Sequence, residues 1–315
     1  CNHVINMETI FQDNPLQVNK QKYLNTLVSI VNRRKWLKED TIDPAHFFIA
    51  MNLAYMLVKN IPFSEENCVL LFHAHQFKPE RHEFISTHFK EKMLPLYVVR
   101  SPFESLASHF IHAKDNPLHD RDLIISKYSY GSSLFQGYQY VNSSPQIRAI
   151  RLEDIKEKPQ QTFESFCKLL NITFHECLLE STIAGKEYVF NGRLGAVKGF
   201  SKSHLKQSYS DEFWRFDELR LKLLLRKHYE AWGYPPLPLI AQLLLPFLPV
   251  AILWPFKMEI NLFKQKYAET ERSKQATILG CVKEYVSFRK LLLKKLLHDT
   301  TKQIPVVSLT NLKQD

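Results

Sequence analysis

Residues 95–110 read PLYVVRSPFESLASHF, which predicts a strand followed directly by a helix. Its apolar run at 96–99 predicts a short strand that is covered on both faces. Ser101 and Pro102 fit the N-cap and the first position of a following helix, with Glu104 at the reciprocal capping-box position. A strand that runs directly into a helix is typical of an open α/β sheet, in which ligands bind at the carboxyl ends of the strands.

The junction between this strand and helix carries a candidate anion site. Arg100 supplies a planar, permanently charged donor group, and Ser108 offers a hydroxyl from the second helical turn. Both groups suit a phosphate. A capped helix with a salt-bridged arginine explains the same residues, so this motif alone leaves both interpretations open.

A second strand-to-helix segment follows at 147–155, IRAIRLEDI. Its apolar run predicts a strand, and Pro159 begins an amphipathic helix with Phe163, Phe166 and Leu170 on one side.

Together the two segments resemble the sulfotransferases that use 3′-phosphoadenosine 5′-phosphosulfate (PAPS). The family's R-x-P segment, with a serine eight residues after the arginine, is matched by Arg100, Pro102 and Ser108. Its R-Y-E-D-L strand end is similar to RLEDI at 151–155. The resemblance implies that Arg100 and Ser108 hold the 3′-phosphate of the nucleotide.

A third segment at 190–195, FNGRLG, resembles the family's late R-K-G-x-x-G loop. The resemblance implies that Gly192, Arg193 and Gly195 lie over the nucleotide. It also implies an α/β fold with a mainly parallel sheet flanked by helices, to which this chain adds a helical C-terminal extension. The implied reaction transfers a sulfuryl group from PAPS, the co-substrate, to a hydroxyl of a carbohydrate, a lipid or a small molecule.

The sequence departs from the family pattern at three places. Leu152 replaces a tyrosine that often stacks on adenine, and Asn191 replaces a basic residue. The family's opening strand, phosphosulfate-binding loop and helix are not found, and the chain begins at Cys1. We therefore expect a truncated chain that lacks the first βα unit.

The candidate catalytic base is His75. Residues 69–72 predict a buried strand that runs into His73-Ala74-His75, which is similar to the K-T-H segment of cytosolic sulfotransferases. An imidazole can accept a proton near neutral pH. In carbohydrate sulfotransferases the base is often a glutamate near the phosphosulfate loop, and that alternative stays open.

Composition limits the other classes of function. The 315 residues are 45% hydrophobic, which is enough for a sizeable core. The five cysteines lack metal-ligand spacing and their odd number favours a reducing compartment, so we expect no metal and a cytoplasmic or membrane-associated protein. The net charge of +10 comes without a nucleic-acid recognition motif, so we expect no nucleic-acid partner.

The sequence divides into three parts. Residues 1–234 form the expected sulfotransferase domain, which ends with a long helix over 210–233 terminated by Gly233 and two prolines. Residues 235–256 form an apolar, proline-rich segment whose last 20 residues carry no charge. This segment is either a bent or re-entrant membrane segment or an apolar arm packed on the domain.

Residues 257–315 form a basic helical tail with 12 basic and 6 acidic residues. Val282, Tyr285, Phe288, Leu292 and Leu296 recur at helical spacing between lysines and arginines. An anionic membrane surface is a possible partner of this helix, and folding back onto the domain is the alternative.

A different class of function also fits. The chain can be a non-catalytic nucleotide-binding or membrane-binding remnant of such an enzyme. A P-loop kinase fits less well, because the R-x-P pattern with its distant serine is not a kinase feature.

Overall fold

The computed structural model describes residues 17–64, 69–71, 79–89, 94–115, 147–180, 182–183, 186–187, 189–192, 195–198, 200, 202, 205, 208–269, 274–299 and 306–307. The helices in these residues are α1 Lys20–Arg33, α2 Pro44–Val58, α3 Pro79–Phe89, α4 Pro102–Asp115, α5 Leu152–Glu157, α6 Pro159–Leu170, α7 Arg215–Leu224, α8 Arg226–Ala231, α9 Leu239–Gln242, α10 Leu248–Ala251, α11 Lys257–Glu269 and α12 Lys274–Leu297. Short 3-10 helices lie at Glu176–Leu179 and Leu245–Phe247.

The strands in the same residues are short. They are β1 Leu37–Lys38, β2 Thr41–Ile42, β3 Leu96–Val99, β4 Arg148–Arg151, β5 Thr182–Ile183, β6 Lys186–Glu187, β7 Val189–Gly192 and β8 Gly195–Lys198. β3 and β4 pair in parallel, and the other three pairs are antiparallel ribbons of consecutive strands. The described chain is therefore mostly helical with a small parallel sheet, a coarse α/β character.

The chain forms two compact units. The first comprises Cys1–Leu94, Pro159–Ser201 and Leu309–Asp315, and the second comprises Pro95–Lys158 and Lys202–Ser308. These units group the residues differently from the three parts that the sequence suggested.

The β3–β4 pair organises the second unit. Leu96 lies opposite Arg148 and Val99 opposite Arg151, and Ala149 also forms a parallel bridge to Val306. The predicted strands are confirmed, but the prediction that β3 is covered on both faces is wrong. Val99 is buried whereas Val98 is 61% exposed, because only one face of the strand packs on the core.

The core of the second unit includes residues from its C-terminal part. Val99 and Phe103 belong to one buried cluster with Leu248, Phe256 and Phe288. The helical periodicity of the basic tail is confirmed in α12, where Phe288 and Leu292 are fully buried and Val282 is exposed. The apolar segment and the tail are thus packed into the same core as β3, which is the folded-back alternative for both.

The apolar segment is divided into short pieces. α9, a 3-10 helix and α10 follow one another, with Pro238, Pro246, Pro249 and Pro255 in or beside them, because proline lacks the amide that a longer helix needs. None of the helices in the described ranges combines the length and the apolar content needed to cross a membrane.

The predicted helix over 210–233 is two helices. α7 begins after Trp214, whose amide donates to the Asp217 carboxylate, and the helical path is interrupted at Leu225 before α8. Gly233 ends α8 with a φ of +64°, as the sequence predicted.

In the first unit, α1 and α2 pack through Leu27, Ala50 and Ala54, and the β1–β2 ribbon connects them. The prediction of a buried strand at 69–72 is wrong over its described part. Val69 and Leu71 are exposed and residues 69–71 have no regular structure.

Candidate functional site

The candidate site lies where β3 and β4 end. The parallel register places Val99 beside Arg151, so the next residues of both strands leave the sheet at one edge. From β3 the chain continues into Arg100 and Ser101, and from β4 it continues into Leu152 and α5. Side chains that are far apart in sequence meet at this edge. We call the group the strand-end cluster: Arg100, Ser101, Glu104, Glu153, Lys156, Tyr209, Tyr229 and Tyr234.

A tyrosine holds Arg100 in place. Nη2 of Arg100 donates a hydrogen bond to the hydroxyl oxygen of Tyr209 at 2.9 Å. Tyr209 is buried, and its ring packs edge-on against Phe103 with 5.9 Å between the centroids. Burial raises the pKa of Tyr209, although Arg100 opposes the shift, so its hydroxyl stays protonated near neutral pH. The hydrogen bond therefore orients the guanidinium without neutralising its charge.

The first amides of α4 have acceptors within the protein. Ser101 N–H donates to Oε1 of Glu153 at 3.0 Å, and the hydroxyl of Tyr234 donates to Oε2 of the same carboxylate at 2.7 Å. Phe103 N–H donates to the hydroxyl oxygen of Tyr229 at 3.3 Å, and this oxygen also lies 3.3 Å from Oγ of Ser101. A carboxylate thus occupies the helix N-terminus, where the helix dipole favours negative charge.

The capping partner differs from the one that the sequence predicted. Glu153, from the neighbouring strand end, accepts the Ser101 amide instead of Glu104. Burial raises the pKa of Glu104, and its Oε2 is buried without a hydrogen-bond partner among the described residues. The helix start at Pro102 is confirmed, but the carboxylate that accepts a hydrogen bond from the Ser101 amide comes from a distant part of the sequence and not from the first turn of α4.

Charges of both signs are concentrated in the cluster. Burial lowers the pKa of Lys156, and Arg100 lowers it further, while Glu153 acts in the opposite direction. Lys156 is therefore within electrostatic range of both residues, and two cations face two carboxylates in a half-buried place. An added anion is attracted by the two cations and repelled by the two carboxylates, so its binding depends on which of these charges it approaches.

Arg151, the arginine of the RLEDI segment, is held by hydrogen bonds within the protein. Its guanidinium makes two hydrogen bonds to the Asp154 carboxylate, at 2.6 and 3.1 Å, and one to the carbonyl oxygen of Gly233 at 2.7 Å. It also lies over the Tyr234 ring, 5.5 Å from the centroid. These contacts fasten the end of α8 to β4.

The structure brings together only some of the predicted site residues. Arg100 lies in the strand-end cluster, and Ser108 lies two turns into α4 and is half-buried. Gly192 and Gly195 pair with each other at the end of the β7–β8 ribbon, which belongs to the first unit. His75 and Arg193 lie outside the described residues.

Sequence reasoning missed the three tyrosines and Lys156. Tyr209, Tyr229 and Tyr234 stand in or beside C-terminal helices and reach the cluster only because those helices pack against β3 and β4. Lys156 carried no local signal beyond its position in an amphipathic turn. In the part of the chain that the structure describes, no group of three or more His, Cys, Asp or Glu side chains can hold a metal ion.

No protein-family model, no curated protein and no solved structure matches the chain.

Proposed function

We propose that the chain binds the 3′-phosphate of PAPS through Arg100 and Ser108 and transfers its sulfuryl group to a hydroxyl acceptor. The observation that carries the proposal is the placement of Arg100. It stands at the carboxyl edge of a parallel strand pair, oriented by a neutral hydroxyl at 2.9 Å and within electrostatic range of Lys156. This edge is where α/β proteins bind phosphorylated ligands.

The reaction assigns a role to each predicted residue. The oxygen of the acceptor hydroxyl attacks sulfur, the bond between sulfur and the bridging oxygen breaks, and 3′-phosphoadenosine 5′-phosphate (PAP) leaves. His75 takes the proton from the hydroxyl as general base. The similarity of residues 190–195 to the family's late loop supports a role for Gly192, Arg193 and Gly195 in covering the nucleotide.

Nucleotide selectivity tests the phosphate site. Arg100→Ala should weaken PAP binding by about 1.5–3 kcal/mol, the value of a hydrogen bond to a charged group. Binding of adenosine 5′-phosphate, which lacks the 3′-phosphate, should change much less. Isothermal titration calorimetry measures both, with Arg215→Ala as a control because Arg215 is exposed at the start of α7. Equal losses for the two nucleotides remove Arg100 from the 3′-phosphate site.

Transfer of a ³⁵S label from PAPS to a panel of sugars, lipids and phenols tests the chemistry. With the phosphosulfate-binding loop supplied ahead of Cys1, His75→Ala should slow transfer by roughly 100-fold while PAP affinity stays unchanged, as expected for loss of a general base. His298→Ala is the control, because this histidine is exposed beyond the end of α12. Unchanged transfer in His75→Ala assigns the base to another group.

The non-catalytic alternative is favoured by one observation. Val69 and Leu71 are exposed and form no strand, so the predicted support for the His75 segment is missing in the described residues. PAP binding without label transfer to any acceptor is the result that this alternative predicts.

A further inference from the structure

The apolar segment has two sides with different surroundings. Ala241, Leu248, Ile252 and Phe256 are buried and hold the segment in the core of the second unit. The opposite side carries large side chains that are each at least 63% exposed. We call these six residues the apolar ridge: Leu239, Ile240, Leu243, Phe247, Val250 and Trp254. Exposed apolar surface of this extent in a folded chain marks an interaction site.

The ridge continues onto a basic helix. The hydroxyl of Tyr285 donates to the carbonyl oxygen of Leu253, and Nη2 of Arg289 donates to that of Trp254 at 3.1 Å, so α12 is fastened beside the ridge. Next to these contacts α12 exposes Leu279, Val282 and Val286.

The charge of α12 is strongly positive. It carries six basic residues and one acidic residue, Glu284, which is buried and paired with Lys266. Lys283 and Lys290 are exposed and share a helical stripe with Leu279, Val282 and Val286. Lysines that border an exposed apolar stripe are typical of helices that lie in the surface of an anionic bilayer.

We infer that the apolar ridge inserts into the surface of an anionic phospholipid bilayer, with the α12 lysines on the lipid headgroups. The ridge enters from one side only, because the other side of the segment is part of the protein core. Trp254, at the end of the ridge, suits the interface between headgroups and acyl chains. A second copy of the chain fits less well, because symmetric pairing of this face brings the same lysines of both copies together.

Vesicle flotation tests the inference. The chain should bind phosphatidylcholine vesicles that contain phosphatidylserine, and added salt should weaken but not abolish binding, since screening acts on the lysines and not on the ridge. Leu243→Glu combined with Phe247→Glu should weaken binding at least about tenfold, because two apolar anchors become charged. Leu37→Glu combined with Leu57→Glu is the control in the first unit, at leucines that are about half exposed, and should leave binding unchanged.

A second variant separates charge from insertion. Lys283→Gln combined with Lys290→Gln should weaken binding to the anionic vesicles, leave binding to pure phosphatidylcholine unchanged and reduce the dependence on salt. Circular dichroism melting checks that both variants remain folded, as expected for exposed positions.

Two results overturn the inference. One is the absence of binding to anionic vesicles by the unmodified chain. The other is a dimer in sedimentation velocity that Leu243→Glu with Phe247→Glu dissociates while vesicle binding is unaffected, which assigns the ridge to a second copy.

Discussion

Replacing Glu153 with glutamine separates two roles of the carboxylate at the start of α4. The carboxylate accepts hydrogen bonds from the Ser101 amide at 3.0 Å and the Tyr234 hydroxyl at 2.7 Å, so it stabilises the fold. It also places a negative charge beside the proposed phosphate site, where it opposes an incoming anion. The variant Glu153→Gln should therefore be less stable and should bind PAP more tightly.

The two effects have similar magnitudes. Hydrogen bonds to a charged acceptor are worth about 1.5–3 kcal/mol and neutral ones about half as much, so the substitution should lower the free energy of unfolding by about 1–3 kcal/mol. Coulomb's law gives about 2 kcal/mol for unit charges about 8 Å apart at an effective dielectric constant of about 20. Because Glu153 is only half-buried, screening reduces this repulsion to about 1 kcal/mol, or roughly a fivefold gain in PAP affinity.

Urea denaturation measures the stability of the variant and calorimetry measures its PAP affinity. Glu157→Gln is the matched control, because Glu157 is exposed at the end of α5, the helix that also contains Glu153. This substitution should change the unfolding free energy by less than about 0.5 kcal/mol. Tyr234→Phe removes one hydrogen bond but keeps the charge, so it should destabilise the fold without improving affinity. If PAP affinity falls in Glu153→Gln, the carboxylate organises the site instead of opposing the ligand, and the reasoning is refuted.

Two further predictions concern the second unit as a whole. Phe288 is fully buried, and its ring lies 5.8 Å from that of Phe256. Phe288→Ala should therefore lower the free energy of unfolding by about 3–5 kcal/mol and expose the amides of β3 to hydrogen exchange, whereas Leu279→Ala at an exposed position should not. Unchanged protection of β3 would mean that α12 is not part of its core. Burial, reinforced by Lys295, lowers the pKa of His228 to about 3, so the folded state keeps it neutral while the unfolded state binds a proton below about pH 6.5. Its contribution to stability is therefore present above pH 6.5 and is lost as the pH falls towards 3, and His228→Gln should flatten the decline in unfolding free energy between these values; an unchanged slope in urea denaturation would contradict the assignment.

Local signals predicted the elements that depend on neighbouring residues. The helix start at Pro102, the strand at Arg148–Arg151 and the end of α8 at Gly233 follow from a proline, an apolar run and a glycine within a few positions.

Features that depend on distant residues could not be predicted. The amide of Ser101 is capped by Glu153, which is 52 residues away, and Arg100 is oriented by Tyr209, which is 109 residues away. The local candidate, Glu104, is present in sequence but does not cap Ser101. The periodicity of α12 identified its apolar side, but it could not predict that Phe288 packs in the core that contains β3.

The hydrogen bonds at the start of α4 restrict how the proposed phosphate site can bind its ligand. In many nucleotide-binding folds, helix amides contact the phosphate directly. Here the Ser101 amide is bound to Glu153 and the Phe103 amide to Tyr229, so a phosphate at this place is held mainly by side chains, with Arg100 contributing the charge. An anion can reach the Ser101 amide only by displacing Glu153 and the Phe103 amide only by displacing the Tyr229 hydroxyl. A site of this kind depends on ionic strength more strongly than one built from amides, because its attraction comes from formal charges that salt screens.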